Sequence, residues 1–170
     1  MAIKDALLPE FTQEMAVTRT LLERVPGDRA DWKPHAKSMS LGELAMHLAE
    51  VPSWLGVTFA GSEFDTNPPG GPPYRTPAFT NTSALVAGFD ANVAAGREAL
   101  SHAEDAAFMQ PWALKSGGNV LMSMPRAAVV RGFVLNHLIH HRGQLSVYLR
   151  LLDVPLPSIY GPTADLKQFG

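Results

Sequence analysis

Apolar side chains at Leu7, Phe11, Met15, Val17, Thr18, Leu21 and Leu22 are mostly three or four positions apart, which predicts an amphipathic helix over residues 2 to about 25. Pro26-Gly27-Asp28 stops it. A second helix is announced by Ser40, an N-cap residue, with Glu43 three positions on to complete a capping box, and should run from Leu41 to about Phe59. Five prolines and three glycines between Gly61 and Pro77 then exclude regular structure and predict a long crossover loop. Helical spacing returns at Leu85, Val86, Phe89, Val93 and Leu100, giving a third helix over 81 to about 104. Phe108 to Pro125 holds a Gly117-Gly118-Asn119 turn signal and reads as a small irregular hairpin at most. Arg126 to about Leu152 is free of proline and carries the strongest stripe, and the tail from Pro155 to Gly170 should be irregular. Four helices with one long connection and no convincing sheet predict an all-α four-helix bundle.

The 170 residues, 46% of them hydrophobic, suffice for one substantial core, so a single domain over 1–170 is expected. With 14 Lys and Arg against 16 Asp and Glu, the formal charge of -2 lacks the basic footprint that nucleic acid requires. No apolar run approaches a membrane span and the first residues do not read as a leader, so a cytoplasmic protein with no membrane partner is expected. The absence of cysteine removes disulfides, thiolate ligands and a thiol nucleophile together. Imidazole and carboxylate remain as metal chemistry, and the six histidines become the residues to place.

On a helical wheel of the last helix with His137 at the origin, Val130 and Tyr148 fall at about 20° and Val134 and Leu152 at about 60°. Arg142, Ser146 and Arg150 fall between about 140° and 220°, so the buried stripe is expected near His137 and His141 and Arg142 on the solvent side. His137 and His141 are one turn apart and can aim at one point, whereas His140 lies on the flank. His47, among Leu41, Leu44, Leu48 and Val51, also heads inward. A core histidine satisfied by a hydrogen bond is the ordinary reading for any one of these, and a shared divalent ion is the alternative for three at once; spacing alone leaves the two about even. His35 suits a solvated or locally bonded loop role, and His102 the negative end of the third helix. Gln144, one turn beyond His141, could bond a group at the site, and Tyr74, Arg75 and Tyr160 could orient a substrate from the loop and tail, with ordinary loop packing as the simpler account. Glu43 is already explained as a cap.

The segment Leu135-Asn136-His137-Leu138-Ile139-His140-His141-Arg142-Gly143-Gln144-Leu145 resembles the signature of the DinB-like family. Leu41-Gly42-Glu43-Leu44-Ala45-Met46-His47-Leu48-Ala49 resembles its second-helix motif, and Pro155-Leu156-Pro157-Ser158-Ile159-Tyr160-Gly161 its closing segment. The resemblance implies a four-helix bundle with one divalent metal per chain, zinc or nickel, on a triad that maps onto His47, His137 and His141. It also implies a range of activities: relatives include low-molecular-weight thiol S-transferases and a thiol-dependent isomerase, and others are described as damage-inducible. Relatives often pair, so a homodimer is expected, with a small molecule, such as a low-molecular-weight thiol, as substrate.

An ion held on three neutral imidazoles is a Lewis acid with open positions, able to generate hydroxide or to hold a thiol as thiolate. Thiol transfer and hydrolysis are therefore both open, and a structural metal that stabilises a non-catalytic, stress-related protein is the third reading. No distinct acid/base pair in the sequence selects among them, and no catalytic residue is assigned.

Overall fold

A computed structural model describes residues 1–166. Its elements run in the order α1 (Ile3–Leu22), α2 (Leu41–Glu50), α3 (Trp54–Ala60), β1 (Glu63–Asp65), α4 (Thr82–His102), α5 (Asp105–Phe108), β2 (Pro111–Ser116), β3 (Asn119–Pro125), α6 (Arg126–Val129), a π-helical segment (Val130–Asn136) and α7 (His137–Leu151).

Local chemistry sets these boundaries. Ser40 Oγ accepts from the Glu43 amide at 3.1 Å while the Glu43 carboxylate accepts from the Ser40 amide at 2.6 Å, the capping box that starts α2. Asn81 caps α4 by accepting from the Ala84 amide at 2.8 Å. Pro52 removes a donor after Glu50, so a single 3₁₀ turn (Val51–Ser53) separates α2 from α3. That turn packs against α4 at Gly96, where an added Cβ would come within 2.4 Å of the Pro52 carbonyl oxygen; only glycine permits the approach. Phe11, Leu44, Leu48, Phe89, Val134, Leu138 and Leu145 meet in a contiguous buried core, each large side chain contributing about 1.5–3 kcal/mol of apolar burial.

The expected all-α four-helix bundle is corrected by a three-stranded mixed sheet in the order β1-β2-β3, with β1 parallel to β2 and β2 antiparallel to β3. Gly117 and Gly118, both at positive φ, make the turn between β2 and β3, and a bulge falls between Leu114 and Lys115. β1 lies within the segment expected to be wholly irregular. Its three residues are too few to show a period, and they are ordered by pairing across about fifty positions of chain rather than by local preference. The expected second and fourth helices are each subdivided, at Pro52 and at the π-helical segment. Arg126 fastens the sheet to the helices by donating to the Thr58 and Gly61 carbonyls, both at 2.8 Å, at the C-terminal end of α3. No described helix is long and apolar enough to cross a membrane.

Candidate metal centre

His47 on α2 and His137 and His141 on α7 are half-buried and offer three ring nitrogens that all lie within 4.8 Å of one another. The ring centroids are separated by 5.1 Å (His47 and His137), 4.7 Å (His47 and His141) and 4.4 Å (His137 and His141). Trp54 packs against two of them, at 5.6 Å from His47 and 5.2 Å from His137.

Hydrogen bonds fix how the rings present their lone pairs. His47 Nδ1 is 2.8 Å from Glu50 Oε1, and an ionised carboxylate can only accept, so Nδ1 carries the proton and Nε2 is bare. His141 Nδ1 stands in the same relation to the Gln144 side-chain oxygen at 2.7 Å. Burial first, and then the neighbouring imidazoles, push His137 down to about 4. Burial also lowers His141, against the opposing effect of Gln144. Both rings are therefore neutral at pH 7. His47 Nε2 and His137 Nε2 face each other at 2.8 Å, the distance of a hydrogen bond in which neutral His137, with its proton on Nε2, donates to the bare His47 Nε2. Three converging imidazoles, two of them anchored through their far nitrogens, form a group that could hold a metal ion.

Glu50 is 6% exposed and fully engaged: besides His47, it accepts from Tyr74 Oη and Thr76 Oγ1, each at 2.8 Å. Burial alone would raise its carboxyl, but these donors outweigh that and hold it below the ordinary carboxylate range. Glu50 and Thr76 were not singled out in the sequence, although a carboxylate three positions after an inward histidine is the spacing of such a partner.

The wheel misplaced the stripe. Buried positions on α7 are Leu138, Arg142, Leu145 and Leu149, a stripe centred about 110° from His137, so the histidines sit on its flank. The helix is covered by α1 as well as α2. Arg142, expected in solvent, is 1% exposed and pairs with Glu14 on α1 at 2.6 Å.

The remaining sequence candidates are distributed as follows. Gln144 is exposed and adjoins the cluster through His141. Tyr160 is joined instead to Glu14, donating at 2.7 Å, and to Arg142, which lies 4.9 Å from its ring centre. Tyr74 reaches Glu50, and Arg75 is exposed. His140 is exposed, with its ring 4.9 Å from that of His141. His35 accepts locally from the Lys37 amide at 3.1 Å, and His102 bonds the Glu98 carbonyl at 2.9 Å.

A cavity of about 460 Å³ opens beside His47 and His137. Its wall is mostly apolar, built from Trp54 and Val57 on α3, Phe64 on β1, Trp112 and Leu114 on β2, and Phe133 of the π-helical segment. The sheet thus forms one side of the site and the helices the other.

The DinB family model matches residues 1–167, and the chain belongs to that family. Its fold is similar to that of a DinB-like protein from Bacillus cereus ATCC 10987, with a TM-score of 0.71 at 22% identity over 94% of this chain and 98% of that one. A DinB-like protein (YjoA) from Bacillus subtilis gives a TM-score of 0.66 at 20% identity, over 91% and 96% of the two chains. Comparison with curated proteins gives no match.

Proposed function

We propose that this chain is a metal-dependent transferase that holds one divalent ion, zinc or nickel, on His47, His137 and His141 and transfers a low-molecular-weight thiol to an organic electrophile. The observation that carries the reading is the convergence of three ring nitrogens, two of them from residues that line an apolar cavity. A divalent ion there would supply Lewis acidity and favour the deprotonated form of a nucleophile beside it.

The protein's own groups then have separate tasks. Glu50 and Gln144 hold the His47 and His141 rings in one orientation. Trp54 limits their movement from the helix side. The two sides of the cluster differ: His47 and His137 line the apolar cavity, while His141 leads through Gln144 to the surface. A polar thiol approaching from the exposed side and an apolar electrophile resting in the cavity would meet between them. In the transfer the sulfur donates its electron pair to carbon, the thiol proton goes to solvent, and the leaving group departs with its bonding pair. Hydrolysis is less well supported, because Glu50, the carboxylate in the cavity wall, accepts from three donors that stabilise its ionised form and weaken it as a base toward water.

The test is reconstitution with zinc or nickel, metal analysis, and a free-thiol consumption assay with a haloaromatic electrophile. About one ion per chain, with thiol loss that disappears in His141→Ala, is the expected result. A protein that retains no metal, or consumes thiol no faster than buffer, overturns the reading.

A further inference from the structure

One part of the cavity wall can move without disturbing a helix or a strand. Apart from Thr66, Tyr74 and Thr76, every lining residue belongs to an element held by its own backbone hydrogen bonds. Those three come from the crossover loop that joins β1 to α4. The loop has firm ends. At its start the Thr66 amide donates to the Lys115 carbonyl at 2.9 Å, and the Asn67 carbonyl accepts from the Gly117 amide at 3.0 Å. Near its finish Phe79 packs against the hydrophobic core.

Between these ends the chain is built as a lever. Residues 69–78 are all exposed. Pro68-Pro69 and Pro72-Pro73 are stiff pairs without amide donors, and Gly70-Gly71 forms a joint between them, with Gly70 at φ 76°. Among the described residues, the hydrogen bonds that tie this stretch to the helices both end on one carboxylate: Tyr74 Oη and Thr76 Oγ1 each donate to Glu50 at 2.8 Å. Both donors belong to exposed residues, so water can take the place of Glu50 when the loop lifts, while Glu50 keeps its bond to His47.

We propose that residues 68–78 are the gate of the cavity, with Gly70-Gly71 as its hinge and the bonds of Tyr74 and Thr76 to Glu50 as its latch, and that an uncharged apolar molecule enters when the latch opens. The latch lies where the cavity meets the histidines, because the carboxylate that receives it also holds His47 Nδ1 at 2.8 Å. Closing the loop and orienting the His47 ring therefore use one anchor. The gate needs neither an ion nor turnover and stands apart from the transferase reading.

The experiment follows N-phenyl-1-naphthylamine, an uncharged dye that brightens in apolar surroundings, by stopped-flow fluorescence with metal-free and zinc-loaded protein. Hydrogen exchange is measured in parallel at the amide of position 74, which in the closed loop donates to the Thr66 carbonyl at 2.7 Å. Tyr74→Phe removes one latch bond and keeps the ring that stands 5.7 Å from that of Phe64, and Thr76→Val removes the other bond at an exposed position. Each variant is expected to speed exchange at position 74 about tenfold, the return on one hydrogen bond to an ionised partner. Dye association and dissociation should both quicken by about the same factor while the dissociation constant changes by less than about twofold, because a gate sets how often a molecule passes and not how well it fits. A residue that served only as wall would alter dissociation alone. A wild-type protein that leaves the dye dark, unchanged exchange, unchanged dye rates, or a loss of affinity with association unaltered would each overturn the proposal. Thr76→Val decides even if Tyr74→Phe folds poorly, and the metal-free measurements decide even if no ion is retained, so the gate and the transferase reading can fail separately.

Discussion

His47 presents its Nε2 to the Nε2 of His137 at 2.8 Å while its other ring nitrogen is held at 2.8 Å by Glu50. The carboxylate thus decides which nitrogen of His47 carries the proton, and with it where the lone pair points. Replacing Glu50 with Gln keeps the size and an acceptor oxygen but removes the charge that raises the basicity of the ring. Zinc affinity is expected to fall about tenfold to a hundredfold, the usual range for an outer partner of a metal-binding histidine. Competition titration against a chromophoric chelator measures it, and unchanged affinity would reduce Glu50 to a core polar group.

Tyr74 provides a pH signature of the same network. Burial and the adjacent Glu50 carboxylate push its phenol up to about 12. A raised folded value means that the contribution is intact below the unfolded value of 10.0 and is lost as pH rises through the folded one, because in that window the unfolded chain has released a proton the native state retains. Melting temperature should therefore decline between about pH 10 and about pH 12, and Tyr74→Phe should flatten part of that decline. A parallel decline in both proteins would place the alkaline sensitivity elsewhere.

Arg142 and Glu14 should dominate the stability effects of charged residues. The guanidinium is 1% exposed, pairs with Glu14 at 2.6 Å and bonds Thr18 Oγ1 at 3.2 Å, with Tyr160 closing the group from the tail. Arg142→Met strands a buried carboxylate and is expected to cost about 3–5 kcal/mol in urea unfolding. Arg131→Ala, which breaks the exposed pair with Glu10, should cost no more than about 1 kcal/mol. The double variant Arg142→Met with Glu14→Leu should recover most of the loss; failure to recover would show that the arginine contributes chiefly through packing.

The legible part of this molecule was what local pattern encodes. Ser40 with Glu43 marked the start of α2 and Gly117-Gly118 the hairpin turn, because caps and turns depend on a few adjacent residues. The clustering of His47, His137 and His141 was expected from their inward placement and from the resemblance of the two histidine segments, although the wheel centred the stripe of α7 on them. What escaped depended on partners distant in sequence. β1 exists through pairing with Ala113, Leu114 and Lys115, and Arg142 is buried because α1 brings Glu14 to it. A wheel with one buried stripe has no place for a helix covered on two sides, so it set the stripe on the histidines and left Arg142 in solvent. The cavity escaped for the same reason, as its wall joins Phe64, Trp112 and Phe133 from three separate segments.

The two adjacent histidines of α7 offer the sharpest test of the centre. His141 contributes a nitrogen to the cluster and is oriented by Gln144, whereas His140 is exposed and lies outside the group of three. His141→Ala should weaken zinc binding by more than about a hundredfold, beyond the range expected for loss of an outer partner, because two imidazoles cannot replace three. His140→Ala should bind zinc like the wild type. Neither change should greatly alter thermal melting of the metal-free protein: His140 is exposed, His141 is half-buried, and the core of α7 is filled by Leu138, Leu145 and Leu149. Paired chelator titrations and melts of the three proteins separate ligand loss from unfolding. Equal loss of affinity in both variants would mean that His140 can turn inward and serve in place of its neighbour, and the triad would then have to be redrawn.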